Sequence, residues 1–264
     1  MRSRIDTDFF APPRPRVIAH RGASGHYPEN TLPAFRAACD FGARYIELDV
    51  RMTRDGEIVV AHDENLERMC AHAGTIAGTT LGDLRRLDAG HNFAPADGEE
   101  FPFRGRAITI PTLAEVLSEF PNGYFIVEMK QVAPGLAAPL LRVVERAGMR
   151  RRVLVASEHQ APLDEFRRLA PDIPTNFPYR EIAAFMMSLP PGTPRFIPLG
   201  DALQIPPIYE SWRIVSVESV AAAHRLGVEV HVWTINQEAQ MREMLTIGVD
   251  GVITDFPDRL LAIL

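Results

Sequence analysis

Cysteine is nearly missing from this chain. Cys39 and Cys70 are the only two in 264 residues. Two thiols cannot build the dense cross-links of a small secreted scaffold, and the expectation is a pair of free thiols in a reducing compartment. A basic surplus is missing as well. The 28 Lys and Arg stand against 34 Asp and Glu, for a formal charge of −6. That excludes a general nucleic-acid binder, whose footprint is basic, but not a local positive cluster for a small anion. No stretch approaches the ~18 uninterrupted apolar residues of a membrane span. The N-terminal MRSRIDTDFFAPPRPR is broken by Pro and Arg, so no secretory signal is expected and the implied location is cytoplasmic. Finally, no dinucleotide glycine fingerprint follows the first apolar strand, which counts against an open doubly wound sheet.

What is present has a rhythm. Apolar residues make up 46% of the chain, enough for a sizeable core. Short apolar runs occur at 16–20, 44–50, 57–62, 124–130, 152–157, 228–235 and 250–255, with weaker candidates at 174–177 and 202–206. The segment 174–177 is the least convincing, being short and carrying Pro174 and Asn176. Amphipathic stretches lie between the runs. Gly42, Gly148, Gly227 and Gly248 each close one and precede a strand. Thr112 with Glu115 reads as a capping box. Short loops between helices and parallel strands mean βα units. About eight of them in 264 residues predict a single-domain α/β protein over 1–264, a (β/α)8 TIM barrel. Residues 63 to about 108, rich in Gly, charge and turns, read as a small insertion after the third strand, placed over the barrel mouth.

The chemistry of such a barrel sits at the C-terminal ends of its strands, and these ends are polar. The first closes on His20-Arg21, the second carries Glu47-Leu48-Asp49, and the third ends at His62-Asp63. The fourth carries Glu128-Met129-Lys130, the seventh Trp233, and the last ends at Asp255. Strand side chains alternate, so Glu47 and Asp49 share a face, as do Glu128 and Lys130. Three carboxylates then converge from two strands. Either ordinary ion pairs with Arg and Lys compensate them, or they bind a cation; the in-phase pairs together with His20 and His62 favour the cation. All-oxygen ligation selects a hard divalent ion, Mg²⁺ or Ca²⁺. Arg21 and Lys130 beside it form a setting for phosphate. Two histidines suit a general acid and a general base, and cleavage of a phosphodiester needs both. Gly22 permits a close backbone approach or a tight turn.

At these residues the sequence resembles the glycerophosphodiester phosphodiesterase (GDPD) family. The matching pieces are AHRGASGHYPENTLPAF (19–35), YIELDVRMTRDGEIVVAHD (45–63), LDAG (87–90), IPTLAEVL (110–117), VEMK (127–130), HVWTIN (231–236) and GVDGVITDFPD (248–258). The resemblance implies a barrel with an insertion after its third strand. It implies hydrolysis of a small-molecule glycerophosphodiester to sn-glycerol 3-phosphate and an alcohol, in lipid or glycerol metabolism. It also implies metal ligation by Glu47, Asp49 and Glu128, acid–base work by His20 and His62, phosphate contacts by Arg21 and Lys130, and a pocket wall at Trp233. The runner-up is the same chemistry on a lipid, by a lysophospholipase D or another phospholipid-directed enzyme. Phe93, Phe101 and Phe103 of the insertion are its only aromatic support. A carboxylate–Mg²⁺ isomerase or lyase is more distant, because two histidines fit it less well. A non-catalytic phosphate-binding module is the remaining reading and would not need them at all.

Other polar residues are weighed individually. Asn30 either hydrogen-bonds near the metal or starts a helix. Asp63 is expected to orient His62 or tie down its turn, and Asp255 to play a structural part at the mouth. His26 reads as a solvated loop residue, His91 as a possible pocket residue, and His231 as a barrel-interior residue below Trp233. His72, His159 and His224 carry no spacing signal, and the arginines at 150–152 read as a solvated face. The segment 174–210 is proline-rich and matches no motif.

Overall fold

The computed structural model describes residues 7–95, 101–190, 192–193 and 195–264. Ten strands are described: β1 (Arg16–His20), β2 (Tyr45–Met52), β3 (Ile58–Val60), β4 (Tyr124–Met129), β5 (Val153–Ala156), β6 (Ala202–Ile205), β7 (Ile208–Tyr209), β8 (Trp212–Arg213), β9 (Glu229–Val232) and β10 (Gly251–Thr254). The helices between them are α1 (Leu32–Phe41), α2 (Glu67–Cys70), α3 (Leu81–Leu84), α4 (Leu113–Glu119), α5 (Ala137–Arg146), α6 (Gln160–Leu169), α7 (Tyr179–Met187), α8 (Val217–Arg225), α9 (Glu238–Ile247) and α10 (Pro257–Leu261).

Seven strands form one curled parallel sheet in the order β5-β4-β2-β1-β10-β9-β6. The circle is completed by the segment with the weakest sequence signal. Thr175 bridges Val155 of β5, and Asn176 bridges Ala202 of β6, both in parallel sense. The fold is therefore an α/β barrel, with residues 175–176 at the eighth place and an insertion that follows β3, as expected.

The run 57–62 corrects one expectation. Its core, β3, pairs antiparallel with β2, Val50 facing Val60, and stands off the parallel path. A tight turn returns the chain: Gly56 N donates to Thr53 O at 3.1 Å, with Gly56 at φ +85°. The Asp55-Gly56 dipeptide between two apolar runs is a hairpin signal that identifies this arm from sequence.

Alternation on the strands sorts residues into shells. Ile46, Leu48 and Val50 of β2 point outward and pack with Phe125, Val127, Leu113, Leu140 and Phe166. Val230, Val232 and Val252 pack outward with Phe185, Val220, Met241 and Leu260. Inside the barrel, Ile18, Tyr45, Tyr124, Ile126, Leu154 and Ile253 fill the lower layers. Phe9, fully buried, plugs the base, and Tyr45 Oη donates to its carbonyl at 2.6 Å. The Thr112–Glu115 capping box starts α4 as expected, and Gly42 closes α1 in the left-handed conformation, at φ +104°. Cys39 and Cys70 are free thiols. Among the described residues no helix is long and apolar enough to cross a membrane.

The seam at 175–176 has no room to spare. A Cβ on Gly200 would lie 2.4 Å from the backbone oxygen of Asn176. Gly200→Ala is expected to push these strands apart and cost about 1–3 kcal/mol. Chemical denaturation would measure this, and an unchanged midpoint would contradict it.

Candidate active site

The turn after β1 is built on strain. Arg21 and Asn30 both sit at positive φ, 54° and 58°, a conformation non-glycine residues rarely hold without other structure enforcing it. The enforcing contacts are visible: Asn30 N donates to Arg21 O at 3.0 Å, and Arg21 N donates to Glu47 O at 2.9 Å. Gly22 brings the turn against α1, since a Cβ there would lie 2.7 Å from the Ala34 backbone.

This turn and the ends of β2 and β4 bring the expected acids together. Glu47, Asp49 and Glu128 each offer a carboxylate oxygen within 4.8 Å of the others. The Arg21 Nε lies 3.1 Å from Asp49 Oδ2, and the Lys130 ammonium lies 3.0 Å from Glu128 Oε1 and 3.9 Å from Asp49 Oδ1. Asn30 is fully buried and donates to Asp49 Oδ2 at 2.9 Å, so it stands beside the acids; the residue before α1 is Thr31.

The charges do not balance on their own. Burial, followed by the neighbouring charges of Asp49 and Glu128, pushes the Glu47 carboxyl well above its usual range. Burial and then Asp49 push Glu128 up to about 7. Asp49 alone is held low: burial opposes ionisation, but Arg21, His62 and Lys130 and the Asn30 hydrogen bond outweigh it. Two buried carboxylates and a half-buried one, facing two committed cations, fit one more positive charge, and an all-oxygen donor set fits a hard divalent ion.

Both histidines reach this cluster and both are anchored at Nδ1. His20 Nδ1 lies 2.6 Å from Asp255 Oδ1, and its Nε2 is 4.0 Å from Glu47 Oε2. Asp255 is fixed by Ser24 Oγ at 2.9 Å and Asn236 Nδ2 at 2.6 Å. Burial raises the Asp255 carboxyl, but the hydrogen bond and charge of His20, with the hydrogen bonds from Asn236 and Ser24, outweigh it and hold the group low. His62 Nδ1 lies 2.7 Å from Asp63 Oδ1. Burial first, with Arg21 and Lys130 adding to it, lowers the His62 imidazole below its usual value despite Asp49 and Asp63.

A cavity of about 1030 Å³ opens above these groups, with His20, Arg21, Glu47, His62, Glu128 and Lys130 on one side. Most of the remaining lining is apolar and includes Phe177, Met186, Ile205, Tyr209, Trp212 and Trp233. The sequence reading missed this wall, because α7, the loop to β6 and the β7–β8 hairpin carry no periodic motif. The insertion, expected over the mouth, contributes none of its described residues to the lining, which goes from His62 to Ile126. His91, Phe93, Phe101 and Phe103 are not among the lining residues. Phe103 instead packs on Phe93 and Tyr27, ring centroids 5.5 and 5.4 Å away. His231 is fully buried below the mouth, as expected, 3.2 Å from Glu229. His26 is tied to Asp258 at 3.1 Å and packs edge-on against Phe256, so it is not simply solvated. Glu29, Ser24, Arg68 and Asn236 were also missed; all but Arg68 lay within a matched motif.

Comparison with known proteins follows the same residues. The glycerophosphoryl diester phosphodiesterase family matches residues 20–259. A Bacillus altitudinis protein named glycerophosphodiester phosphodiesterase is 35% identical over 250 residues, covering 92% of this chain and 96% of its own. The crystal structure of a glycerophosphodiester phosphodiesterase from Agrobacterium tumefaciens superposes with a TM-score of 0.74 at 27% identity, over 94% of this chain and 99% of that one. A phosphodiesterase of Oleispira antarctica, solved with the product sn-glycerol-3-phosphate, gives a TM-score of 0.74 at 28% identity, over 94% and 96%.

Proposed function

The chain belongs to the glycerophosphoryl diester phosphodiesterase family and is a phosphoric diester hydrolase, and from that premise we propose a metal-dependent, paired-histidine hydrolysis of glycerophosphodiesters to sn-glycerol 3-phosphate and a free alcohol. The observation that carries this reading is the convergence of three carboxylates and two Nδ1-anchored imidazoles on one cavity.

Glu47, Asp49 and Glu128 would hold one divalent cation, Mg²⁺ or Ca²⁺. When bound, it supplies charge neutralisation at the non-bridging phosphate oxygens. Arg21 and Lys130 contact the same phosphate and orient it. Asp255 and Asp63 hold the Nδ1 protons of His20 and His62, which leaves each Nε2 to move a proton in the cavity. One Nε2 takes a proton from the attacking oxygen as its bond to phosphorus forms. The other gives a proton to the alcohol oxygen as its bond to phosphorus breaks. Trp233 bounds the alcohol or glycerol.

The direct test is release of glycerol 3-phosphate from glycerophosphocholine, with Mg²⁺ or Ca²⁺ and with EDTA. Turnover that EDTA abolishes and either ion restores is expected. Activity indifferent to EDTA would remove the metal from the reading, and no release with any ion would remove the substrate.

The apolar wall supports a second substrate class on the same site. Glycerophosphocholine has no apolar part to fill a surface of Phe, Met, Ile and Trp. A lysophospholipid has an acyl chain that does. Trp212 and Trp233 are the only tryptophans of the chain, and both line the cavity. A long-chain lysophospholipid below its micelle concentration should therefore shift the intrinsic emission and compete with glycerophosphocholine. A silent titration without inhibition would confine the enzyme to water-soluble diesters.

A further inference from the structure

Among the described residues the insertion adds nothing to the cavity lining, yet one of its side chains is linked, through two acids, to two of the groups that face the cavity. Arg68 stands on α2. Its Nη1 and Nη2 donate to the two oxygens of Glu29 at 3.0 and 2.6 Å, and its Nε donates to Asp63 Oδ2 at 2.5 Å. Each carboxylate passes the contact on. Asp63 uses its other oxygen on His62 Nδ1, at 2.7 Å. Glu29 Oε1 also accepts from Arg21 Nη1, at 3.1 Å. One guanidinium thus connects an imidazole to a phosphate-facing arginine, through two acids on loops after β3 and β1.

The fork geometry matters here. A guanidinium presents donors on two edges in one plane, so it can grip one carboxylate with both Nη atoms while its Nε serves another. A lysine, with one ammonium point, cannot hold both acids in fixed orientations. The energetic setting agrees. The cations on either side overcome burial and hold the Glu29 carboxyl below its usual value, and Asp63 is held at about 2 by Arg68 and His62 against burial. Both acids stay charged and need a second cation to stop them drawing wholly on His62 or Arg21. Without Arg68, Glu29 keeps its contact with Arg21, and a bidentate grip on Arg21 would turn that guanidinium away from the cavity. Asp63 would lose the contact that fixes its plane toward His62.

The geometry points to Arg68 as a positioning residue of this site, holding Asp63 and Glu29 so that His62 and Arg21 face the substrate phosphate. This rests on the roles of His62 and Arg21 proposed above. Arg68 is not among the residues lining the cavity, so it acts through its partners. Its side chain is half exposed, at 52%, and exposed pairs contribute little to global stability. Its effect on turnover is therefore separable from folding.

The experiment compares wild type, Arg68→Ala, Arg68→Lys, Asp63→Ala and the Asp63→Ala/Arg68→Ala double variant. Glycerophosphocholine turnover is split into kcat and KM, and thermal unfolding is followed alongside. Protein labelled with ¹⁵N-histidine reports the His62 Nδ1–H resonance, assigned by its absence in His62→Asn. The expected result is a tenfold to hundredfold loss in kcat/KM for Arg68→Ala, mostly in kcat, with an unchanged melting point. Arg68→Lys should not restore it. The double variant should lose less than the product of the two single losses, because both substitutions break one chain of contacts. Wild-type turnover in Arg68→Ala, with the Nδ1–H signal intact, would overturn the inference. If the wild type itself releases no product, the reading of the reaction fails, and the resonance alone decides Arg68. Its loss in Arg68→Ala upholds the positioning role, and its persistence ends it.

Discussion

Alanine at His20 or at His62 is expected to lower glycerol 3-phosphate release about 10²–10⁴-fold, the range over which a positioned acid or base accelerates a reaction, and to leave the melting point in place. In the proposed reaction each imidazole serves a different oxygen of the same phosphodiester, so neither could substitute for the other. Neither is part of the core: their side chains are 18% and 31% exposed, and the contacts they make are to Asp255 and Asp63 at the rim. Circular dichroism and a thermal melt of each variant, beside its product assay, check the claim. A variant that keeps wild-type turnover loses its assigned role, whereas one that fails to fold would show that these histidines carry the architecture. Asp255→Ala extends the test. It frees His20 Nδ1 without touching Nε2, so its loss should fall mainly on kcat.

The largest stability effect is expected at the other end of the barrel. Arg16 is buried, its side chain 1% exposed, with Nη2 at 3.0 Å from both Glu229 Oε1 and the Phe10 carbonyl. Its guanidinium carbon lies 5.5 Å from the Tyr45 ring centroid, which softens the cost of burial. Glu229 also faces His231, at 3.2 Å. Glu229→Ala leaves Arg16 as a buried charge short of its carboxylate, a change worth about 3–5 kcal/mol. For a chain of this size that is roughly 6–15 °C in melting temperature. Replacing both partners, as Arg16→Met with Glu229→Leu, should recover much of the loss. Measured melts of the single and double variants decide this, and a single variant as stable as wild type would contradict it. The pair also has a pH signature. Burial pushes the Glu229 carboxyl up, but the His231 hydrogen bond and the charges of His231 and Arg16 outweigh it and hold the carboxyl below its ordinary value. A depressed carboxylate contributes stability that is fully present above its unfolded pKa and is lost as pH falls through the folded one. Acid should therefore destabilise the wild type more steeply than the Glu229 variants in the range below the ordinary carboxylate value.

The charged half of the site was legible because its signal is periodic. Glu47 and Asp49 bracket Leu48, and Glu128 and Lys130 bracket Met129, so the two-residue strand repeat alone puts four charges on one face. Arg51 continues that phase, and its Nε holds the His62 carbonyl at 2.8 Å. The same pattern could have identified it. The Thr112 capping box was readable because helix starts are local chemistry. What was not readable has no period. The place of 175–176 is fixed by two isolated bridges, too little pairing to impose an apolar pattern. The three residues of β3 are all buried, and a buried run looks the same whether its neighbour is parallel or antiparallel; only the Asp55-Gly56 turn distinguishes them. Phe177, Met186, Tyr209 and Trp212 converge from separate loops and elements, and no sequence spacing records that they meet.

The shells around the barrel bear on how such an enzyme can change. The outward core built on β2, β4 and β5 lies between Phe35 and Ile173, and the one built on β6, β9 and β10 takes Phe177 to Leu260 together with Val17, Ala19, Ala23, Ala37, Ala38 and Ala43 around β1 and α1. Their junction is the thin seam at 175–176. Glu47, Asp49, Glu128 and Lys130 stand on the first of these halves, and most of the apolar wall stands on the second. Substitutions in α7 or the β7–β8 hairpin can thus vary the shape of the apolar wall while the three acids and Lys130 keep their own scaffold. The three acids and most of the apolar wall stand on separate stretches of one chain, and drift in the second need not cost the first.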